Sequence, residues 1–94
     1  MDVLTLQDLE AEWLAEAINH KREEGLLREI VAHSAPARNP QYAGGESRIL
    51  KLLTAHGRHI GTIHEILMPD GSTPHSHPKD YTRRDCSRVR VKAE

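Results

Sequence analysis

Leu6, Leu9, Trp13, Leu14, Ala17 and Ile18 fall on one half of a 3.6-residue wheel, and Asp8, Glu12, Glu16, Asn19 and Glu23 fall on the other. That spacing predicts an amphipathic helix over about residues 5–24. Thr5 can accept a backbone N–H as its N-cap, Asp8 stands at N3, and Leu4 and Leu9 are spaced as a hydrophobic staple. Lys21 and Arg22 place cations at the end where the helix dipole favours them. Gly25 then supplies a residue that can turn left-handed and stop the helix.

Beyond Gly25 the period changes. Leu26 to His33 matches neither repeat cleanly and is read as a strand, with a second short helix as the alternative. Residues 34–46 hold two prolines, two glycines and an asparagine, the composition of a long loop. Ser47–Thr54 and His59–Met68 read as two strands of a hairpin turning at Ala55-His56-Gly57-Arg58. In the second of these, alternation puts Ile60, Thr62, His64, Ile66 and Met68 on one face and His59, Gly61, Ile63, Glu65 and Leu67 on the other. A His/Pro loop over about 69–80 follows, and Val89 and Val91 alternate with Arg88 and Arg90 as in an edge strand. The expected fold is α+β: one N-terminal amphipathic helix packed on a small, mainly antiparallel sheet of three or four strands, in a single domain over residues 1–94, with its sheet region at about 26–91.

Composition narrows the class. The chain has 94 residues, 37% of them hydrophobic, with no phenylalanine and a single cysteine, so Leu, Ile, Val and Ala must fill the core without a disulfide. No apolar stretch approaches the ~20 residues that cross a bilayer, and the first residues carry neither a basic nor an apolar leader region. The expectation is a soluble, cytoplasmic chain. The formal net charge of -1 hides a gradient: residues 1–24 carry seven acids against two bases, and residues 79–92 six bases against two acids. Such opposed ends suit an attraction within one chain, within a homodimer, or to an anionic partner. Ile63 and Leu67, without an obvious second cover, point to the homodimer.

Seven histidines are out of proportion in so short a chain. In Pro74-His75-Ser76-His77-Pro78, extended backbone puts His75 and His77 on one side, within reach of one divalent ion, and the prolines stiffen the segment. Imidazole suits zinc, nickel or iron. A third ligand must come from His64 or His59 on the preceding strand, or from Asp80, Asp85 or Cys86. The candidate metal set is His75, His77, His64 and Asp80. The run Met68–Pro78 resembles the first motif of the cupins, where a Pro/Gly turn precedes an H-x-H pair of metal ligands. That resemblance implies His75 and His77 as ligands. It covers the motif alone, since the glutamate expected after His77 and a second histidine motif are both missing.

The neighbouring Arg83, Arg84 and Arg88, with Tyr81 as a stacking face, form a candidate anion or phosphate site. Beside the histidines they would suit ribonuclease-like acid–base chemistry. As a purely binding surface they would suit RNA or an acidic protein. Cys86 is most simply a small buried hydrophobe, although its arginine neighbours would favour a thiolate.

Overall fold

A computed structural model describes residues 2–92. In chain order the elements are β1 (Asp2–Leu4), α1 (Leu6–Ala15), α2 (Ile18–Glu23), β2 (Arg28–Pro36), a 3₁₀ turn (Pro40–Tyr42), β3 (Glu46–Leu53), β4 (His59–Leu67), β5 (His75–Thr82) and β6 (Arg88–Val91). The strands form one six-stranded sheet in the order β1-β6-β5-β4-β3-β2. All pairs are antiparallel except β1 with β6, which run parallel. The class is the expected α+β, but the sheet is larger than three or four strands.

The helical region begins as predicted and breaks midway. Thr5 caps α1 by accepting the Asp8 N–H at 3.2 Å. Nothing in the sequence signals the break at Ala17, which takes a left-handed conformation (φ 54°, ψ 35°). The kink seats Ile18 in the core and brings Asn19 to Trp13, whose indole N–H donates to Asn19 Oδ1 at 2.9 Å. A straight helix would have buried Leu14 on the same stripe. Instead Leu14 is 67% exposed. Gly25 follows α2 with φ +73°, as expected of the residue that stops the helix.

The two helices lie on one face of the sheet. Leu9, Trp13 and Ile18 pack with Leu50 and Leu52 of β3, Ile63 of β4, Tyr81 of β5 and Val89 of β6 to form the core. Each such side chain withdrawn from water is worth roughly 1.5–3 kcal/mol before chain entropy is counted. The contact is close enough that a Cβ on Gly61 would stand 2.5 Å from the Trp13 ring, so only glycine fits beneath the indole. Glu65 is also buried on this side, 3% exposed, and Arg48 neutralises it at 2.7 Å. Ile63 is covered by the helices, whereas Leu67 stays half-buried, so of the two residues that pointed to a homodimer one has its cover within the chain.

Three bulges re-aim side chains. One between Leu52 and Leu53 lets Ile60 pack against the core and turns His59 to the opposite face, reversing the strict alternation expected of β4. A second lies in β5, where Ile63 pairs with Pro78 and Thr62 with Asp80, leaving Lys79 as the extra residue. It explains why 75–82 is strand rather than loop: beside a bulge, the N–H that Pro78 lacks is not required by the ladder. The third interrupts β2 between Val31 and His33. β6 is not the sheet edge, because β1 pairs outside it. Among the described residues no helix is long and apolar enough to cross a membrane.

The face away from the helices is partly covered by the loop over 37–45. It is fastened by the Ala37 N–H to Gly45 O bond (3.0 Å) and by Asn39, whose side chain accepts from Gln41 N at 3.0 Å. At Gly45 a Cβ would meet Met68 Sδ at 2.8 Å and the Ile66 methyl at 3.2 Å. That close approach buries Ile66 to 5% exposure on the face that carries the histidines.

Candidate metal centre

His64 of β4 and His77 of β5 are direct cross-strand partners, and His75 sits opposite Ile66 two pairs further along. The two-residue period of a strand puts all three imidazoles on the face away from the helices, where paired side chains stand about 4.5–5.5 Å apart at Cβ. The rings meet edge to face, with centroids 5.5 Å (His64–His75), 5.3 Å (His64–His77) and 5.0 Å (His75–His77) apart. One nitrogen from each lies within 4.8 Å of the other two, so the three histidines could hold a metal ion.

The closest approach is His64 Nδ1 to His77 Nε2, 3.4 Å. Zn–N bonds of about 2.0–2.1 Å at a tetrahedral angle put two ligand nitrogens about 3.3–3.4 Å apart, whereas the right angle of an octahedral ion puts them near 3.0 Å. The outer nitrogens of both rings are occupied. His77 Nδ1 lies 3.1 Å from the Pro78 carbonyl, which can only accept, so that nitrogen carries the proton and Nε2 presents its lone pair inward. His64 Nε2 lies 2.8 Å from Ser47 Oγ; with the hydroxyl accepting, the His64 Nδ1 lone pair faces His77, and with the hydroxyl donating, His64 Nδ1–H donates to His77 Nε2 at 3.4 Å. The His77 tautomer follows from its carbonyl partner, and that of His64 follows the direction of the Ser47 bond. In the first arrangement two lone pairs face each other and a cation between them would stabilise them, and such outward bonds are how metal-ligating histidines are oriented.

Burial holds the His64 pKa below the usual histidine value, and the neighbouring His77, His75 and Lys79 push it the same way against a smaller opposing effect of Glu65. The neutral ring, which is the ligating form, is therefore favoured near pH 7.

Asp80, expected beside the histidines, pairs with Thr62 one step along β4 and groups with His59 instead. His59 Nδ1 meets Thr82 Oγ1 and its Nε2 meets Thr62 Oγ1, both at 3.0 Å. Asp80 Oδ1 lies 3.5 Å from His59 Nε2 and 3.8 Å from an Arg88 nitrogen, and it is buried without a hydrogen-bond partner. His59 is thus half-buried in a group of its own, apart from the three-histidine cluster.

Two arginines of the basic end, Arg83 and Arg84, are paired within the chain. Arg83 forks onto Glu12 at 3.0 and 3.2 Å and also bonds Asp2, and Arg84 bonds Glu16 at 2.9 Å. Tyr81 is buried against Trp13 and its hydroxyl donates to Glu12, so its ring offers no exposed stacking face. The acidic N-terminal and basic C-terminal segments therefore meet each other. Cys86 is exposed rather than buried, at φ 71° in the turn between β5 and β6.

Ser47 and the outward bond on His77 are the parts of the cluster that sequence reasoning did not reach. A serine on a strand opposite a histidine-bearing strand was visible, but only register makes it a partner. Comparison of the chain with protein-family profiles, with curated proteins and with solved structures gives no match.

Proposed function

We propose that this protein binds one divalent transition metal through His64, His75 and His77, and that zinc fits the cluster best. The observation that carries the reading is the convergence of three ring nitrogens within 4.8 Å of one another, two of them 3.4 Å apart, with the outer nitrogens of His64 and His77 engaged by Ser47 and the Pro78 carbonyl. Nickel and iron(II) also accept imidazole, but the spacing suits a tetrahedral ion better than an octahedral one.

Three neutral ligands and no carboxylate make a centre of the open kind, with a fourth position left for water or substrate. A zinc ion so held lowers the pKa of bound water to about 7 and acts as a Lewis acid, the chemistry of hydrolysis and hydration. The cluster is half-buried on the face that the 37–45 loop only partly covers, so small molecules can reach it. A role for the arginine-rich end as a binding surface for RNA or an acidic protein is less favoured, because Glu12, Asp2 and Glu16 already occupy Arg83 and Arg84.

The test is metal analysis of protein purified without a histidine tag, followed by calorimetric titration of the metal-free form with zinc, nickel and iron(II). One equivalent of zinc should bind most tightly. His64→Ala, His75→Ala and His77→Ala should each weaken it by at least tenfold, and His56→Ala should not. Equal affinity across all four variants would overturn the proposal.

A further inference from the structure

Beside the cluster, between the 37–45 loop and the end of β2, runs a groove of about 390 Å³ whose lining includes His33, Arg38, Asn39, Tyr42, His64 and His75. That volume lies in the range of small-molecule sites. Among the described residues no carboxylate lines it. Its fixed charge is the Arg38 guanidinium, which is exposed and presents a planar fork that matches the two oxygens of a carboxylate or phosphate. The loop that carries Arg38 is held in place before any ligand arrives, by the Ala37–Gly45 backbone bond and by Tyr42 N–H donating to Asn39 O at 2.8 Å. Tyr42 stands with its ring centroid 6.2 Å from that of His75, so an aromatic surface borders the candidate metal ligands.

We infer that the substrate of the centre is a small oxyanion bearing a planar or apolar group, bound between the metal's open position and Arg38 with Tyr42 against its body. The inference rests on the metal reading above and adds the substrate class. Three neutral imidazoles leave the full charge of a divalent ion uncompensated, so the groove pairs that charge with a guanidinium and has no acid of its own. An anion is the ligand such a site favours, and a cation or a neutral polyol gains nothing from Arg38. An ordered loop also spares the ligand the cost of fixing it.

The experiment titrates benzoate and phenyl phosphate into the zinc-loaded protein and into the zinc-free protein, for wild type, Arg38→Ala and Arg38→Lys. The two probes share a ring and differ in the oxyanion, so the tighter one separates carboxylate from phosphate recognition. Binding should require zinc. Arg38→Ala should weaken the better probe by about tenfold or more while leaving zinc affinity unchanged, and Arg38→Lys, a point charge without the fork, should fall between. If zinc binds but neither probe does, or if Arg38→Ala binds them as wild type does, the inference is overturned and the metal centre stands. If zinc itself does not bind, the metal reading falls and the inference falls with it.

Discussion

Ser47 Oγ and His64 Nε2 lie 2.8 Å apart across the β3–β4 pair, on the side of the imidazole away from His77. The hydroxyl therefore fixes which nitrogen of His64 is free to ligate. Ser47→Ala removes that orientation without touching a ligand. Zinc affinity should fall by about 10- to 100-fold, the usual effect of losing such an outer partner, with little change in the unfolding midpoint of the metal-free protein. Calorimetric titration of the variant reads both the affinity and the unchanged stoichiometry. Wild-type affinity would mean that Ser47 plays no part in holding the ring.

Ala17 separates two accounts of the helical region. At φ 54° an alanine is strained by roughly 1–2 kcal/mol, and glycine is not. Ala17→Gly should therefore raise stability by about 0.5–1 kcal/mol, seen as a higher urea midpoint. A continuous helix over 5–24 requires the opposite sign, since glycine in a helix interior costs about 1 kcal/mol relative to alanine. A lowered midpoint would show that the break does not exist in solution.

His59 makes the metal-free protein sensitive to mild acid. Burial is the main cause that holds its pKa below the usual value. Asp80 opposes that shift, and Arg88 and Lys51 reinforce it. Above about pH 6.5 the ring is neutral in both folded and unfolded chains and contributes no pH dependence. As pH falls below that value the unfolded chain takes up the proton more readily than the folded one, so stability declines until the lowered folded pKa is passed. Thermal melts of the chelator-treated protein between pH 7 and 5 should show this decline. His59→Gln should flatten part of it, and a slope identical to that of wild type would remove His59 as a source.

What the sequence made legible is divided by the range of the interaction. The Thr5 cap, the turns at Gly25 and Gly57, the β3–β4 hairpin and the shared side of His75 and His77 all depend on residues a few positions apart, and each has its local chemistry written in place. The features that escaped depend on partners far along the chain. β1 is only Asp2–Leu4, and β6 alone makes it a strand. β5 reads as loop because Pro78 and its polar neighbours suppress the strand pattern, and the bulge that tolerates the proline is a property of the pair with β4. The Ala17 break is set by where Ile18 and Trp13 find cover.

The candidate site divides in the same way. His75 and His77 announce themselves by spacing, and His64 was one of several possible third members. Register selects it, placing His64 opposite His77 while the bulge carries Asp80 one step away to His59. The arginines looked free because their acids, Asp2, Glu12 and Glu16, are at the other end of the chain. Charge counts reveal that the two ends attract, but not that the attraction is satisfied within one molecule.

Whether His64, His75 and His77 converge on one metal ion can be read from a crystal structure of the protein grown with one equivalent of zinc. A single ion should stand about 2.0–2.1 Å from His64 Nδ1, His77 Nε2 and one nitrogen of His75, with a water or anion as fourth ligand and the Ser47 and Pro78 bonds to the outer nitrogens retained. A zinc ion bound elsewhere, or a cluster closed by a His64 to His77 hydrogen bond with no metal density between the rings, would contradict it.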